Sequence, residues 1–169
     1  MAERLSLRDY QRALAARLRE AGSQRTAFKL GLQVEGEDWL VDLADAGEVI
    51  PVPAITPVPL TRPWFKGVTN IRGNLYSVVD FPAFVGRAAT PLGEETRLLL
   101  ISEHYRTGAA LLVTRSLGLR NPGLMHARVP KGPRSPWARA EYGDAEGRTW
   151  KELDIARLVQ HPDFLGVAA

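Results

Sequence analysis

Near the start of the chain the hydrophobic period is two. Phe28, Leu30, Leu32 and Val34 alternate with Lys29, Gly31, Gln33 and Glu35, and Trp39, Val41 and Leu43 resume the alternation after the polar segment 35–38. Side chains of a strand point to opposite faces in turn, so this pattern demands two half-buried strands joined as a β-hairpin. Prolines 51, 53, 57, 59 and 63 follow. Each lacks a backbone donor, which restricts this stretch to edge strand or extended connection across a surface. Fifteen glycines and twelve prolines without a repeating period carry the same message for the whole chain: many turns, short strands and a β-rich fold.

Two continuous apolar runs, residues 98–101 and 109–113, are separated by a polar loop, as two fully buried strands joined by a hairpin require. A third short strand is expected near residues 116–119. Ahead of the hairpin, Leu7, Tyr10, Leu14 and Leu18 form one stripe of a helix over residues 6–21, with Ser6 and Asp9 at capping spacing and Gly22 as the terminator. This divides the chain into an N-terminal amphipathic helix, residues 1–24, and a β domain, residues 25–169. The 169 residues, 45% hydrophobic, suffice for a self-supporting core of one domain or two intimate lobes. An internal echo favours two lobes. Residues 79–85 and 153–159 share the order apolar, Asp, apolar, any, any, apolar, apolar, so that in each a strand runs into Asp80 or Asp154, which can N-cap a short helix.

Catalytic chemistry finds little purchase. There is no cysteine, hence no disulfide and no thiolate metal site. His104, His126 and His161 lack metal-ligand spacing, and no nucleophile elbow, P-loop or dinucleotide fingerprint occurs. No catalytic residue, cofactor or metal is expected. The opening residues lead into a charged amphipathic stretch and no window approaches 18 uncharged apolar residues, so the expectation is a soluble cytoplasmic protein without direct membrane insertion.

Charge is uneven. Residues 30–60 carry six acids and no base, whereas residues 120–140 carry five bases and no acid. The basic segment from Arg120 to Pro136, rich in Pro and Gly, reads as a long loop. Arg120, Arg128, Lys131, Arg134 and Arg139, with Trp137 for stacking, would serve a nucleic-acid-binding barrel, which is the alternative function. A protein-facing or solvated loop is favoured because the aromatic residues elsewhere occupy buried alternation positions.

Residues 64–81 carry the sharpest motif: Gly67-Val68, then Asn70-Ile71-Arg72-Gly73, then the strand-like 75–79 ending at Asp80. This resembles the signature of CheW-like proteins, and the order of the flanking hairpin, proline-rich stretch, buried strands and closing 153–155 segment extends the resemblance over about residues 27–160. It implies a mainly β fold of two small five-stranded SH3-like β-barrels sharing a core, with a short C-terminal helix. It also implies a non-enzymatic scaffold that couples the cytoplasmic tip of a methyl-accepting chemoreceptor to the regulatory domain of a CheA-type histidine kinase. Within the family the chain is most similar to adaptors of the chemosensory system that controls type IV pili and twitching, with a flagellar chemotaxis adaptor as the alternative. By resemblance the receptor-binding position is Arg72, accompanied by Asn70, Gly73 and Gly67, of which the last three shape the turn more than they touch the partner. The competing role for Arg72 is an internal salt bridge to Asp80 or another acid. The chain departs from the commoner pattern at Asn74 and Ser77, which bears on the receptor-facing geometry and not on the fold.

Overall fold

A computed structural model describes residues 28–169 of the chain; the expected helix over residues 6–21 lies outside that range. Among the described residues eleven strands form two mixed sheets, supplemented by three helices of one to two turns. The first sheet combines β1 (Lys29–Val34), β2 (Glu37–Asp42), β8 (Arg115–Arg120), β9 (His126–Arg128), β10 (Ala138–Gly143) and β11 (Thr149–Leu153) in the order β8-β1-β2-β11-β10-β9. The second combines β3 (Ala46–Pro51), β4 (Phe65–Ile71), β5 (Asn74–Asp80), β6 (Arg97–Ile101) and β7 (Ala109–Val113) in the order β3-β6-β7-β5-β4. The expected hairpins are β1–β2 and β6–β7, and the expected third strand is β8.

The two sheets repeat one plan. Each has an antiparallel hairpin at its centre, β1–β2 or β6–β7, and each lays the strand that precedes a helix parallel to that hairpin: β11 beside β2, and β5 beside β7. Asp80 then caps α1 (Phe81–Phe84) and Asp154 caps α2 (Ile155–Gln160), so the echo in the sequence marks equivalent corners of two lobes. His161 ends α2 and opens α3 (Pro162–Leu165), its Nδ1 accepting from the Asp163 N–H at 3.3 Å.

The second sheet approximates a barrel. Its edge strands are joined through the proline-rich connection, where the Thr56 N–H donates to the Val68 carbonyl at 2.8 Å and the Val68 N–H to the Thr56 carbonyl at 2.9 Å. Prolines cannot extend this into a ladder, so the backbone pairing there is a single bridge, supported by the Thr69 hydroxyl donating to the Ala54 carbonyl at 2.7 Å. In the first sheet the edges β8 and β9 are connected only along the chain, through a 3-10 turn at Pro122–Leu124.

Parity of the strands explains the continuous apolar runs. Leu98, Leu100, Ala110 and Leu112 face the interior of the second lobe with Ile71, Tyr76 and Val78. Their neighbours Leu99, Ile101, Ala109, Leu111 and Val113 face the shared core, where they meet Leu30, Leu32, Val34, Trp39, Val41 and Leu153 of the first lobe. A strand buried on both faces has no polar alternation to show. The interior of the first lobe is different. Leu40 and Trp150 are fully buried there, but Lys29, Asp42, Glu152 and Arg139 share the same face in a salt-bridge network. Tyr142 completes it by donating to Glu152 at 2.9 Å.

The basic segment departs from the expected loop. It contains β9, which pairs antiparallel with β10 and has all three residues exposed. A strand without a buried face leaves no hydrophobic period, and the sequence therefore conceals it. Trp137 is no stacking platform: it is buried against Phe84, ring centroids 4.9 Å apart, and against His161. Arg139 is taken up by Asp154, with contacts of 3.1 and 3.2 Å.

Candidate functional site: the β4–β5 turn

Ile71 and Asn74 pair directly across the β4–β5 hairpin, leaving Arg72 and Gly73 as a two-residue loop. Both have positive φ, +54° and +88°, as a type I′ turn requires. Glycine adopts this freely, whereas Arg72 has a side chain to accommodate in the left-handed region, so the turn must be fixed by its surroundings. Asn70 supplies part of that: its Oδ1 accepts from the Gly73 N–H at 2.9 Å, closing the loop from outside the ladder. Gly67 acts further back. It is buried, at φ +129°, where a Cβ would lie 2.0 Å from the Thr56 carbonyl oxygen. Its lack of a side chain admits the Thr56–Val68 bridge, and so anchors β4 against the proline-rich connection.

Arg72 therefore stands on a short, braced hairpin. Its guanidinium donates through Nη1 to Glu48 Oε2 at 2.8 Å and through Nη2 to Glu48 Oε1 at 2.7 Å, a bidentate fork. The partner acid is Glu48, not Asp80, which is fully buried and lies 3.7 Å from Lys66. Glu48 belongs to β3, at the opposite edge of the second sheet, so the ion pair also spans the seam of the barrel. The Arg72 side chain remains 70% exposed and that of Glu48 43% exposed, which leaves the pair open to solvent and to a partner. The hydrogen bond from Arg72 holds the Glu48 carboxyl below its ordinary pKa, and reciprocally Arg72 is raised. At such exposure the pair contributes little to stability.

Beneath the pair runs a groove of about 370 Å³, floored by Ile71, Tyr76 and Leu100 and rimmed by Asn74 and Glu103. Leu75, 65% exposed, stands beside the turn on β5. A charged fork above an apolar floor can receive an amphipathic helix, whose carboxylates or terminal carbonyls meet Arg72 while its apolar side chains enter the groove. Asn74, one of the departures from the family pattern, lies on the rim and is exposed; Ser77 lies in mid-strand and its N–H donates to the Gly108 carbonyl at 2.8 Å.

Reaction chemistry is poorly served here. Ser102, His104 and Asp45 meet near the same groove, with Ser102 Oγ 2.9 Å from His104 Nδ1. Asp45 is 3.8 Å from His104 Nε2 and its Oδ1 accepts from the Tyr105 hydroxyl at 2.7 Å, so it does not orient the imidazole. The contact is a local one within a 3-10 turn (Glu103–Tyr105), on an exposed surface. Among the described residues no cluster of three His, Cys, Asp or Glu side chains could hold a metal ion, and no helix is long and apolar enough to cross a membrane.

Comparison with known proteins agrees with this architecture. The family model of the CheW-like domain matches residues 30–163. Protein PilI of Pseudomonas aeruginosa is 32% identical over 143 residues, covering 82% of this chain and 79% of PilI. Among solved structures, the scaffolding protein TtCheW from Thermoanaerobacter tengcongensis superposes with a TM-score of 0.63 at 16% identity, covering 76% of this chain and 88% of that one.

Proposed function

The chain belongs to the CheW-like domain family, and from that membership we propose how it joins its partners: Arg72 and the groove below it receive the cytoplasmic tip of a methyl-accepting chemoreceptor, while another face of the double barrel holds the regulatory domain of a CheA-type histidine kinase. The protein is a chemotaxis-type adaptor, and its likeness to PilI over most of both chains aligns it with the pilus-associated branch of that function. Coupling proceeds without bond-making. The adaptor fixes two proteins in register, and an array of such contacts turns modest individual affinities into stable assembly through effective concentration. Its place in the cell follows from the receptors: it works in the cytoplasm, held at the membrane by the arrays it joins.

The observation that supports this reading most directly is the exposed Arg72–Glu48 fork on a braced two-residue turn. An ion pair so open to water does little for folding, and a rigid, exposed guanidinium above a groove of mixed polar and apolar lining is suited to recognition. Asn70, Gly73 and Gly67 serve by shaping the hairpin that presents it. The experiment compares wild type with Arg72→Asp in binding a receptor-tip fragment and a CheA-type regulatory domain, together with urea unfolding. The expected outcome is loss of receptor binding by at least about tenfold, retention of kinase binding, and a stability change within about 0.5 kcal/mol. Unchanged receptor binding in a folded variant would remove Arg72 from the interface. Failure of the wild type to bind the kinase domain at all would remove the adaptor role.

A further inference from the structure

The basic segment is not absorbed by the β4–β5 surface, which belongs to the other lobe. Of its five cations, Arg139 is neutralised by Asp154, Glu152 and Asp42, and Arg120 lies over the Trp150 ring, 5.3 Å from its centroid. Arg128, Lys131 and Arg134 have no carboxylate within ion-pair distance among the described residues. All three are exposed, and Arg128 donates only to the Thr149 hydroxyl. Arg128 ends a strand edge, and Lys131 and Arg134 follow it in the chain. β9 is the last strand of the six-stranded sheet, bonded to β10 on one side and to nothing on the other among the described residues. Its free side therefore presents unpaired main-chain donors and acceptors, which a sheet otherwise protects.

The surrounding side chains leave room along that edge. Gly143 is directly opposite His126, and a Cβ on it would lie 2.4 Å from His126 Nε2 and 2.8 Å from Arg128 Nε, so both side chains lean inward over β10. Beyond Arg128 the chain carries Val129, 88% exposed, and then curls over a groove of about 550 Å³ on the face of the sheet, lined by Arg128 of β9, Glu141 of β10, Thr149 and Lys151 of β11, and Lys131. Lys151 is paired with Glu37 at 2.9 Å, which leaves Glu141 to offset part of the local positive charge.

We propose that the β9 edge docks an extended, acidic segment of a protein partner, which adds as a further strand while its carboxylates meet Arg128 and Lys131 at the rim of the groove and Arg134 in the loop that follows. Main-chain pairing supplies the affinity, and the three exposed cations, without a carboxylate partner among the described residues, select the sign of charge. A nucleic acid fits less well. No exposed aromatic platform lies in the groove, since Trp137 is buried and the Tyr142 hydroxyl is engaged with Glu152, and Glu141 repels phosphates while an extended peptide can place an uncharged residue opposite it.

The test uses a fluorescent peptide of alternating Glu and Thr, a Lys and Thr counterpart, and an oligothymidylate, each titrated at the same salt concentration against the full chain and against the triple variant R128E, K131E and R134E. The acidic peptide is expected to bind, the basic one not, and the variant to lose at least about tenfold in affinity while melting as the wild type does, because none of the three side chains is buried. Amide exchange at residues 126–128 should slow when the acidic peptide is bound. Absence of binding, undiminished binding to the variant, unaltered exchange along β9, or tighter binding of the oligothymidylate than of the peptide would each overturn the proposal. None of these outcomes bears on Arg72, whose lobe and test are separate.

Discussion

A glycine can be required for the conformation it adopts or for the room it leaves, and Gly67 and Gly73 separate the two cases. Gly73 lies at φ +88° with open space for 4 Å around the point a Cβ would occupy, so Gly73→Ala meets only the intrinsic cost of the left-handed region, about 1 kcal/mol. At Gly67 a Cβ would collide with main chain at 2.0 Å and 2.7 Å in Thr56. Backbone cannot step aside as a flexible side chain can, and Gly67→Ala should cost about 3 kcal/mol or more by forcing the Thr56–Val68 bridge open. Urea midpoints of the two variants check this directly; equal losses would mean that the bridge does not brace β4. Arg72 belongs to the same scale of description. Its bidentate partner makes it look structural, yet the exposure of both groups leaves its contribution to folding small and its availability high.

The two strand-to-helix corners look alike in sequence and differ in what their aspartates do. Asp154 accepts from the Arg157 N–H at 3.0 Å as a helix cap and from Arg139, which is half exposed. Asp80 is fully buried; its cap contact to the Ala83 N–H is long, 3.5 Å, and its stronger partners are the Thr90 N–H at 3.0 Å and the Thr90 hydroxyl at 2.7 Å. Asp80 thus chiefly pins the loop between α1 and β6, and only secondarily caps α1. Asp154→Ala is expected to cost about 1–2 kcal/mol, and Asp80→Ala about 2–4 kcal/mol, since it strands two buried donors. Thermal or urea unfolding of both variants provides the comparison, and the reverse order of cost would contradict the assignment.

At the scale of the molecule, the second lobe is a continuous stretch, residues 46–113, inserted between β2 and β8 of the first. Continuity does not make it independent. Val79, Phe81, Leu99, Leu111 and Val113 all face the shared core, so residues 46–113 expressed alone would expose that face and are expected to aggregate or remain without fixed tertiary structure by near-UV circular dichroism. A cooperative unfolding transition of that fragment would refute the shared core as a requirement. Two charged groups of the first lobe make stability depend on pH. Burial alone would raise the Asp154 carboxyl, but the Arg157 N–H and Arg139 outweigh it and hold it below its ordinary 3.8. Its contribution is therefore present above about pH 4 and is lost as pH falls through the depressed folded value. Burial would lower Lys29, yet hydrogen bonds to Asp42 and Glu152 leave it above its ordinary 10.5. That contribution is present below 10.5 and disappears as pH rises through the folded value. From these two groups stability is expected to fall on the acid side as Asp154 is protonated and on the alkaline side as Lys29 loses its proton, which urea midpoints across the pH range would reveal.

The strands with a buried face and the corners that repeat are legible in the order of residues alone. The alternation of Leu30, Leu32 and Val34, the continuous runs at 98–101 and 109–113, and the paired Asp80 and Asp154 each carry a local physical signature, and the motif around Arg72 located the exposed turn. Whether Arg72 would meet an acid, and which one, depended on β3 and β4 coming together across a barrel seam; Glu48 lies 24 residues away, beyond any local period. The same holds for β9, which has no buried face to leave a pattern, and for Trp137, whose surroundings come from Phe84 and His161 on other elements. Periodicity reports which side of a segment avoids water. Which segments then share that dry side, and which charges are brought opposite one another, is decided only when the two sheets close on a common core.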